Sequence, residues 1–157
     1  MAGDAEARDE MFMRRALELA REAAAEGEVP VGAVIVKDGA VVSCGRNRRE
    51  TGKNALHHAE LEAIDGACRT LGGWRLWECE HFVTLEPCPM CAGAVINARI
   101  PRVVFGAFDP KAGSCGSVVN LFDLPYNHKP EVVGGVLRDE CAMLLTNFFH
   151  SLRAKTD

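Results

Sequence analysis

The sequence lacks any long apolar run. Hydrophobic residues make up 48% of the 157-residue chain, yet no stretch approaches the roughly 20 consecutive apolar residues that a membrane-spanning helix requires. The first ten residues are acidic and lack a basic segment followed by an apolar one, which a secretory signal would need. The sequence therefore predicts no membrane partner, no secretory signal and a cytoplasmic location.

The cysteines lack the even number and regular spacing of a disulfide framework. There are seven of them, and a chain without an export signal is not expected to carry a disulfide scaffold. Five are interpreted as small, mostly buried hydrophobic residues: Cys44, Cys68, Cys79, Cys115 and Cys141. Only Cys88 and Cys91 remain as candidates for chemistry.

An excess of positive charge is also missing. The chain has 18 Lys and Arg against 22 Asp and Glu, a net charge of −4, so the overall charge gives no support for nucleic-acid binding. One local run, residues 46–53, holds four cations and one anion. Such runs are commonly solvated loops, and contact with phosphate stays open as the alternative. Composition alone does not identify the partner.

No internal repeat, low-complexity tract or linker divides the chain, so residues 1–157 are predicted to form a single domain. Hydrophobic periodicity and turn residues predict an alternating order of helices and strands. The order begins with a helix from about Arg8 to Glu26 and a hairpin of Val31–Lys37 and Ala40–Cys44 around Asp38-Gly39. It continues with helix 58–71, strand 81–85, helix 88–99 and strand 102–107. A loop-like stretch 108–130 that can include one helical turn follows, then a strand near 131–136 and a helix from about 139 to 153. This alternation favours an α/β fold with parallel strands and helices on both faces of the sheet.

Two short motifs carry metal-binding residues. Pro87 precedes Cys88 and Cys91, which are three residues apart at a predicted helix start and therefore project to the same side. His58 opens the preceding predicted helix and supplies a third ligand. Three protein ligands leave the fourth tetrahedral position for water, which is typical of catalytic zinc. The positive end of each helix also favours the thiolate form of the cysteines.

Glu60 follows the predicted histidine ligand by two residues, about 200° around a regular helix. It therefore need not bind the same ion. A glutamate beside a metal can hydrogen-bond a water molecule there, take its proton and pass protons to the substrate. We predict Glu60 as the catalytic acid and base.

Other interpretations of these motifs stay open. A Cys-x-x-Cys pair in a chain of this kind can be a redox pair or half of a structural zinc site. Cys79 or Cys115 would then supply a fourth protein ligand, and His57 and His58 would be ordinary loop histidines. Against these alternatives, His-x-Glu followed by Pro-Cys-x-x-Cys is a known signature of zinc-dependent nucleobase deaminases.

Longer segments extend the likeness, and the sequence resembles the bacterial tRNA-specific adenosine deaminases, which convert the wobble adenosine of an arginine tRNA to inosine. The resemblance lies in residues 28–34, 58–60, 84–94, 102–109, 127–128, 139–141 and 148–149, and covers all but the first ten and last four residues. It implies a three-layer, cytidine-deaminase-like fold with a five-stranded mixed sheet and helices on both faces. It also implies one Zn²⁺ per subunit, held by His58, Cys88 and Cys91, and a homodimer whose interface is partly built from the cysteine-bearing helix.

The resemblance also implies how the substrate is held. The base would contact Val29, Asn47 and the backbone near Ala59. The flanking anticodon-loop nucleotides would meet Asp109, Lys111, Asn127 and His128, and the last helix would close over the loop with Phe148, Phe149 and Arg153. On pattern alone, the two phenylalanines fit a core as well as a stacking surface, and Asp109 before Pro110 fits a turn.

The function implied is zinc-dependent hydrolytic deamination of adenosine to inosine in a tRNA anticodon loop. Two alternatives remain. One is a deaminase of a free nucleobase or nucleoside, of the guanine or cytidine type, which would leave Phe148, Phe149 and the basic run without a role. The other is a non-catalytic, zinc-stabilised interaction module, in which Glu60 would have no chemical task.

Overall fold

The structure is a computed structural model that describes residues 2–156. In chain order its elements are α1 (Ala2–Ala25), β1 (Gly32–Lys37), β2 (Ala40–Arg46), α2 (Ala59–Leu71), β3 (Cys79–Leu85), α3 (Pro89–Ala98), β4 (Arg102–Ala107), a 3₁₀ turn (Leu121–Asp123), β5 (Glu131–Gly134) and α4 (Arg138–Thr156). Within the described residues, no helix is both long enough and apolar enough to span a bilayer.

The five strands form one mixed sheet in the order β2-β1-β3-β4-β5. β1 pairs antiparallel with β2 and with β3, whereas β3–β4 and β4–β5 are parallel pairs. The parallel strands bring their carboxyl ends to one edge, where Leu85 lies beside Ala107. The segments that follow β3 and β4 therefore leave the sheet side by side, and this edge carries the site described below. The predicted five-stranded mixed sheet is confirmed.

The β1–β2 hairpin turns at the predicted dipeptide. Asp38 and Gly39 both have positive φ, 51° and 75°, and Lys37 pairs with Ala40 across the turn. A two-residue turn with both central residues in the left-handed region matches the twist of the flanking strands, which is why an Asp-Gly pair is favoured there.

Helices cover the sheet on both faces. Side chains alternate along β3, so that Phe82 packs with Phe12 and Leu17 of α1 on one face and Val83 packs with Ala63 and Val95 on the other. Residues of α4 join the first cluster, and α2 and α3 make up the second. The result is the predicted three-layer arrangement, with α1 and α4 opposite α2 and α3.

The first helix begins at Ala2, six residues before the predicted start at Arg8. Residues 2–7 include three alanines, which are good helix formers, but they lack the apolar spacing that marks a buried face. Ion pairs hold this end to the sheet: Arg8 binds Glu80 at 2.6 Å, and Arg102 binds Asp9 at 2.8 Å. Polar contacts of this kind leave no signal in hydrophobic periodicity, so the prediction of the start was wrong.

Candidate active site

Three predicted ligands converge at the carboxyl edge of the sheet. His58 is the N-cap of α2 and Cys88 the N-cap of α3, with Cys91 in the first turn of α3. The Nδ1 atom of His58 lies 3.6 Å from the Sγ atom of Cys88 and 3.5 Å from that of Cys91. All three ligand atoms lie within 4.8 Å of one another. The structure thus joins two motifs thirty residues apart.

This geometry fits a zinc ion. Bond lengths of about 2.0–2.1 Å to nitrogen and about 2.3 Å to sulfur in a tetrahedron place N and S about 3.6 Å apart, which is the separation seen here. In the part of the chain that the structure describes, neither Cys79 nor Cys115 belongs to the group. A structural site of four protein ligands therefore lacks its fourth ligand, and three ligands with an open position is the arrangement of a catalytic site.

The two thiols differ in their protonation. Hydrogen bonds from Cys91 and His58 lower the pKa of Cys88 to about 4. The hydrogen bond to Cys88, together with burial, raises the pKa of Cys91, and the same sulfur raises the pKa of His58. The group thus already favours one thiolate, and binding of a divalent cation would release the remaining protons from its ligands.

Glu60 is a buried carboxyl group beside these ligands. It is the second residue of α2 and only 4% exposed. Burial raises the pKa of its carboxyl group to about 7. A carboxyl group that is neither metal ligand nor part of a surface ion pair has few structural reasons to be buried, and such groups cluster at functional sites.

A cavity of about 160 Å³ opens beside the ligand group. It is lined by Val29, Val31, Asn47, Arg49, His58, Ala59, Glu60, Leu85, Glu86, Cys88, Asp109 and Ala112. Aliphatic side chains form one part of its wall and polar groups the other. Such a mixture suits a flat ring with polar edges, because the apolar wall contacts its faces and a few fixed groups orient it.

Asn47 is held in the cavity wall by two hydrogen bonds. Its Nδ2 donates to the carbonyl oxygen of Val29 at 3.2 Å, and its Oδ1 accepts the Arg49 N–H at 3.1 Å. These contacts fix the orientation of the amide. A primary amide has two N–H groups and two lone pairs, so one donor and one acceptor position remain for a ligand.

The predicted substrate residues divide into two groups. Val29, Asn47, Ala59 and Asp109 lie together in the cavity wall, with Glu60. Lys111 is exposed just beyond that wall, and its backbone N–H donates to the side chain of Asp109 at 3.0 Å. Asp109 also accepts the Ala112 N–H, so it caps a turn as well as lining the cavity.

The other predicted contacts lie outside the cavity wall. His128 contacts the carbonyl oxygen of Ile100 at 2.6 Å, just before β4 and at the other end of that strand from Asp109, and Asn127 beside it is exposed. On α4, Phe148 and Phe149 stack edge to face, and Arg153 lies in the last turn. Phe148 lines a separate cleft with Gly27, two residues from Val29. Contacts of these residues with RNA stay predictions.

Three functional candidates were missed by the sequence reasoning: Glu28, Arg49 and Glu86. Arg49 lines the cavity but lies within the basic run, where nothing separates it from its neighbours. Burial by itself raises the pKa of Glu86, but hydrogen bonds from Ser117 and from the loop backbone outweigh it and leave that pKa below its usual value. A glutamate directly before the Pro-Cys motif was the available signal, and its partners lie more than twenty residues away.

This fold, with a His-Cys-Cys group beside a buried glutamate, defines a zinc-binding deaminase domain. Residues 6–107 match the family described as the cytidine and deoxycytidylate deaminase zinc-binding region, and the chain belongs to that family. It is 50% identical over 148 residues to the tRNA-specific adenosine deaminase of Bacillus subtilis, an alignment that spans 94% of this chain and 92% of the relative.

Solved structures of deaminases are also similar to this chain. The chain is similar, with a TM-score of 0.84 and 44% identity, to a structure from a study of A-to-I editing by tRNA:A34 deaminases at the wobble position of transfer RNA, over 86% of this chain and 99% of that one. It is also similar to the guanine deaminase of Bacillus subtilis, with a TM-score of 0.62 and 40% identity over 73% of each chain. Identity and coverage together group the chain with the tRNA-specific adenosine deaminases.

Proposed function

We propose that this chain is a zinc-dependent hydrolytic deaminase that converts adenosine to inosine at the wobble position of a tRNA anticodon loop and releases ammonia. One observation carries the proposal: the buried Glu60 shares its cavity with His58 and Cys88 of the ligand group. The tRNA-specific adenosine deaminase of Bacillus subtilis, which has a similar length and a half-identical sequence, supports the choice of adenosine in tRNA as the substrate.

The metal would be held by His58, Cys88 and Cys91, one ion per subunit. A zinc ion bound there would lower the pKa of a water molecule to about 7, which makes a nucleophile available at neutral pH. The separations between the ligand atoms support this assignment, and so does the zinc-binding family to which the chain belongs.

Glu60 would move the protons of the reaction. As water attacks C6 of the adenine ring, the carboxylate takes a proton from the water and delivers one to N1. The carboxylate then takes the remaining proton from the oxygen now bonded to C6 and passes it to the exocyclic amine. The C6–N bond breaks, ammonia leaves, and a carbonyl group remains at C6. One carboxyl group can serve each step in turn because it is buried in the wall of the same cavity that would receive the base.

The base would be held by the cavity wall and the RNA by its surroundings. Val29, Asn47 and Ala59 would contact the purine. Flanking nucleotides would meet Asp109, Lys111, Asn127 and His128, and α4 would cover the loop with Phe148, Phe149 and Arg153. Single-stranded loops can turn a base outward at limited cost, so a small cavity is compatible with a large RNA. An arginine tRNA is the expected substrate, from the resemblance stated above.

At the level of the whole molecule, residues 1–157 would act as one deaminase domain in a cytoplasmic homodimer. The dimer interface would include α3. In support, Gly93 on α3 has no atom within 4 Å of the position of an added Cβ, so this part of the helix is open in the single chain and allows close approach of a second one.

The direct test is ammonia release from an anticodon stem-loop with adenosine at the first anticodon position. We expect release that a chelator abolishes and added Zn²⁺ restores. A stem-loop with guanosine at that position is the matched control and should release nothing. If reduced, zinc-loaded protein releases no ammonia from the adenosine stem-loop, the proposal fails.

A second candidate is a deaminase of free guanine, favoured by the 40% identity to a guanine deaminase structure. Its overlap is smaller, since 73% of each chain is covered. The same assay with free guanine, cytidine and adenosine separates the two functions. Turnover of free guanine without turnover of the stem-loop would replace our proposal with this one.

A further inference from the structure

Two loops form much of the cavity wall, and each is fastened by one buried carboxylate. The first is residues 47–57, between β2 and α2, which carries Asn47 and Arg49. The second is residues 109–117, after β4, which carries Asp109 and Ala112. All four side chains line the cavity. The carboxylates are Glu28, which is 0% exposed, and Glu86, which is 2% exposed.

Glu28 lies three residues after the end of α1 and holds the first loop by hydrogen bonds. Its two carboxylate oxygens accept one backbone N–H each, from Glu50 at 3.0 Å and from Thr51 at 2.6 Å. Its own backbone N–H donates to the carbonyl oxygen of Ala23 in α1 at 2.9 Å. The loop is therefore tied to the body of the domain at the two residues that follow Arg49.

Glu86 fastens the second loop in the same way but with more contacts. One oxygen accepts the Asp109 N–H at 3.1 Å and the Ser117 hydroxyl, and the other accepts the N–H groups of Cys115 at 3.1 Å and Ser117 at 3.0 Å. Gly113 of this loop packs closely against the carboxylate. A Cβ added at Gly113 would lie only 2.4 Å from the Glu86 Cδ.

These contacts leave both carboxylates little capacity for chemistry. Glu28 is not among the cavity-lining residues, and both oxygens of Glu86 are engaged by the loop. A hydrogen bond from a backbone N–H to a carboxylate is stronger than one between two neutral groups, because the acceptor is charged. Losing one partner in a buried position also leaves the other unsatisfied.

We propose that Glu28 and Glu86 are positioning residues, each of which holds one wall loop of the cavity in its binding conformation and thereby sets the affinity for the anticodon loop. The inference rests on the proposed function, because it assumes that the two loops contact the RNA substrate. Neither carboxylate takes part in proton transfer, which belongs to Glu60.

The test uses Glu28→Gln and Glu86→Gln in the full-length, zinc-loaded protein. Each change keeps the shape of the side chain but turns one acceptor oxygen into a donor that faces a backbone N–H. We expect the KM for the stem-loop to rise roughly tenfold in each variant with kcat changed by less than about twofold. Because the loops are separate, the two rises should multiply in the double variant.

Amide hydrogen exchange gives a second readout that a general loss of stability would not reproduce. The N–H groups of Glu50 and Thr51 should exchange faster in Glu28→Gln alone, and those of Cys115 and Ser117 faster in Glu86→Gln alone. Glu26→Gln is the matched control. It removes an exposed carboxylate that pairs with Arg46, two residues before Glu28, and should leave both KM and these exchange rates unchanged.

Two further variants remove donors instead of acceptors, in case the buried changes prevent folding. Thr51→Pro deletes the N–H that binds Glu28, and Ser117→Ala deletes the hydroxyl that binds Glu86. Both residues are exposed, and each change should raise KM roughly threefold with kcat unchanged.

Several outcomes would overturn the inference. If the wild-type protein deaminates the stem-loop but KM is unchanged in Glu28→Gln and Glu86→Gln, the inference is refuted and the proposed function stays intact. A fall in kcat at constant KM in these variants would have the same meaning. If the wild-type protein does not deaminate the stem-loop, the proposed function fails instead. The exchange rates then still report whether each carboxylate holds its loop.

Discussion

At the scale of single residues, a substitution of Glu60 distinguishes a catalytic zinc site from a zinc-stabilised interaction module. Replacing Glu60 with Gln should lower kcat on the stem-loop at least about a hundredfold, because the variant cannot exchange protons with substrate. Zinc content should stay at one ion per chain, since Glu60 is not one of the three ligand residues. Ammonia release and metal analysis of the same sample measure both quantities.

Asp65→Asn provides the control for Glu60. Asp65 is an exposed carboxylate on the same helix that pairs with Arg69, and its loss should change neither activity nor metal content. Retained deamination in Glu60→Gln would contradict the assigned role. Loss of zinc in that variant would instead show that the carboxylate holds the metal.

We expect the protein to lose stability at low pH because of His81. His81 lies within β3 with 0% exposure, so a protonated ring there would be buried away from water. Burial lowers the pKa of His81 from 6.5 to about 4. Between these values the unfolded chain binds a proton that the folded protein does not, so stability present above pH 6.5 is lost as the pH falls towards 4, by about 3 kcal/mol in total.

His81→Leu removes this titration. Urea unfolding at several pH values should show a shallower loss of stability in the variant than in the wild-type protein. Release of zinc in acid affects both proteins alike, so the difference between their curves isolates His81. His150→Gln, a change at an exposed position, should follow the wild-type curve. Parallel curves for His81→Leu and wild type would contradict the assignment.

The convergence of His58, Cys88 and Cys91 could be predicted from sequence because each motif is local and its geometry is fixed by a helix start. His58 and Cys88 cap α2 and α3, as the sequence indicated. The loop contacts of Glu28 and Glu86 could not be predicted, because their partners are backbone N–H groups of distant loops. Backbone groups are present at every position, so such contacts leave no pattern in the sequence.

At the scale of elements, the alternation of helices and strands was predictable and the ends were not. The parallel β3–β4–β5 pairing follows from the intervening helix and long connection. The placement of β1 between β2 and β3 does not follow from periodicity, because β1, β3 and β4 are all buried along most of their length. β2 runs to Arg46, beyond its predicted end at Cys44, since Arg46 is held there by Glu22 and Glu26.

The position of α2, and with it the predicted ligand His58, depends on a close contact with β2. A Cβ added at Gly45 would lie 2.1 Å from the carbonyl oxygen of Ala59 and 2.7 Å from the Ala63 nitrogen. Gly45→Ala must therefore push the start of α2 away from the sheet. We expect a loss of stability of about 1–3 kcal/mol and weaker zinc binding, measured by urea unfolding and by competition with a chelator.

Gly73→Ala is the control for this contact. Gly73 follows the same helix, and an added Cβ meets nothing within 4 Å, so stability and zinc affinity should stay within about 0.5 kcal/mol of wild type. Normal zinc affinity in Gly45→Ala would show that the ligand group does not depend on the α2–β2 contact.

At the scale of the whole molecule, charge argues for recognition of RNA by shape and local contacts. The net charge is −4, and the basic run is partly neutralised within the fold. Arg46 pairs with Glu22 and Glu26, and Arg48 pairs with Glu62. Of the cations in this run, Arg49 is the one that reaches the cavity wall. Few cations near the site imply few phosphate contacts and a shallow dependence of binding on salt.

A substitution on α3 tests the proposed homodimer. Gly93 faces open space in the single chain, so Gly93→Arg fits the monomer and places a bulky charge in an interface built on α3. Light scattering should give the wild-type protein about twice the chain mass of 17.0 kDa and the variant about one chain mass. Gly3→Arg is the matched control, because Gly3 is equally open and lies on α1, across the sheet from α3. Both substitutions replace a helical glycine with a better helix former, so helix propensity does not distinguish them. A wild-type protein of one chain mass would refute the dimer, and a Gly93→Arg variant that stays dimeric would move its interface away from α3.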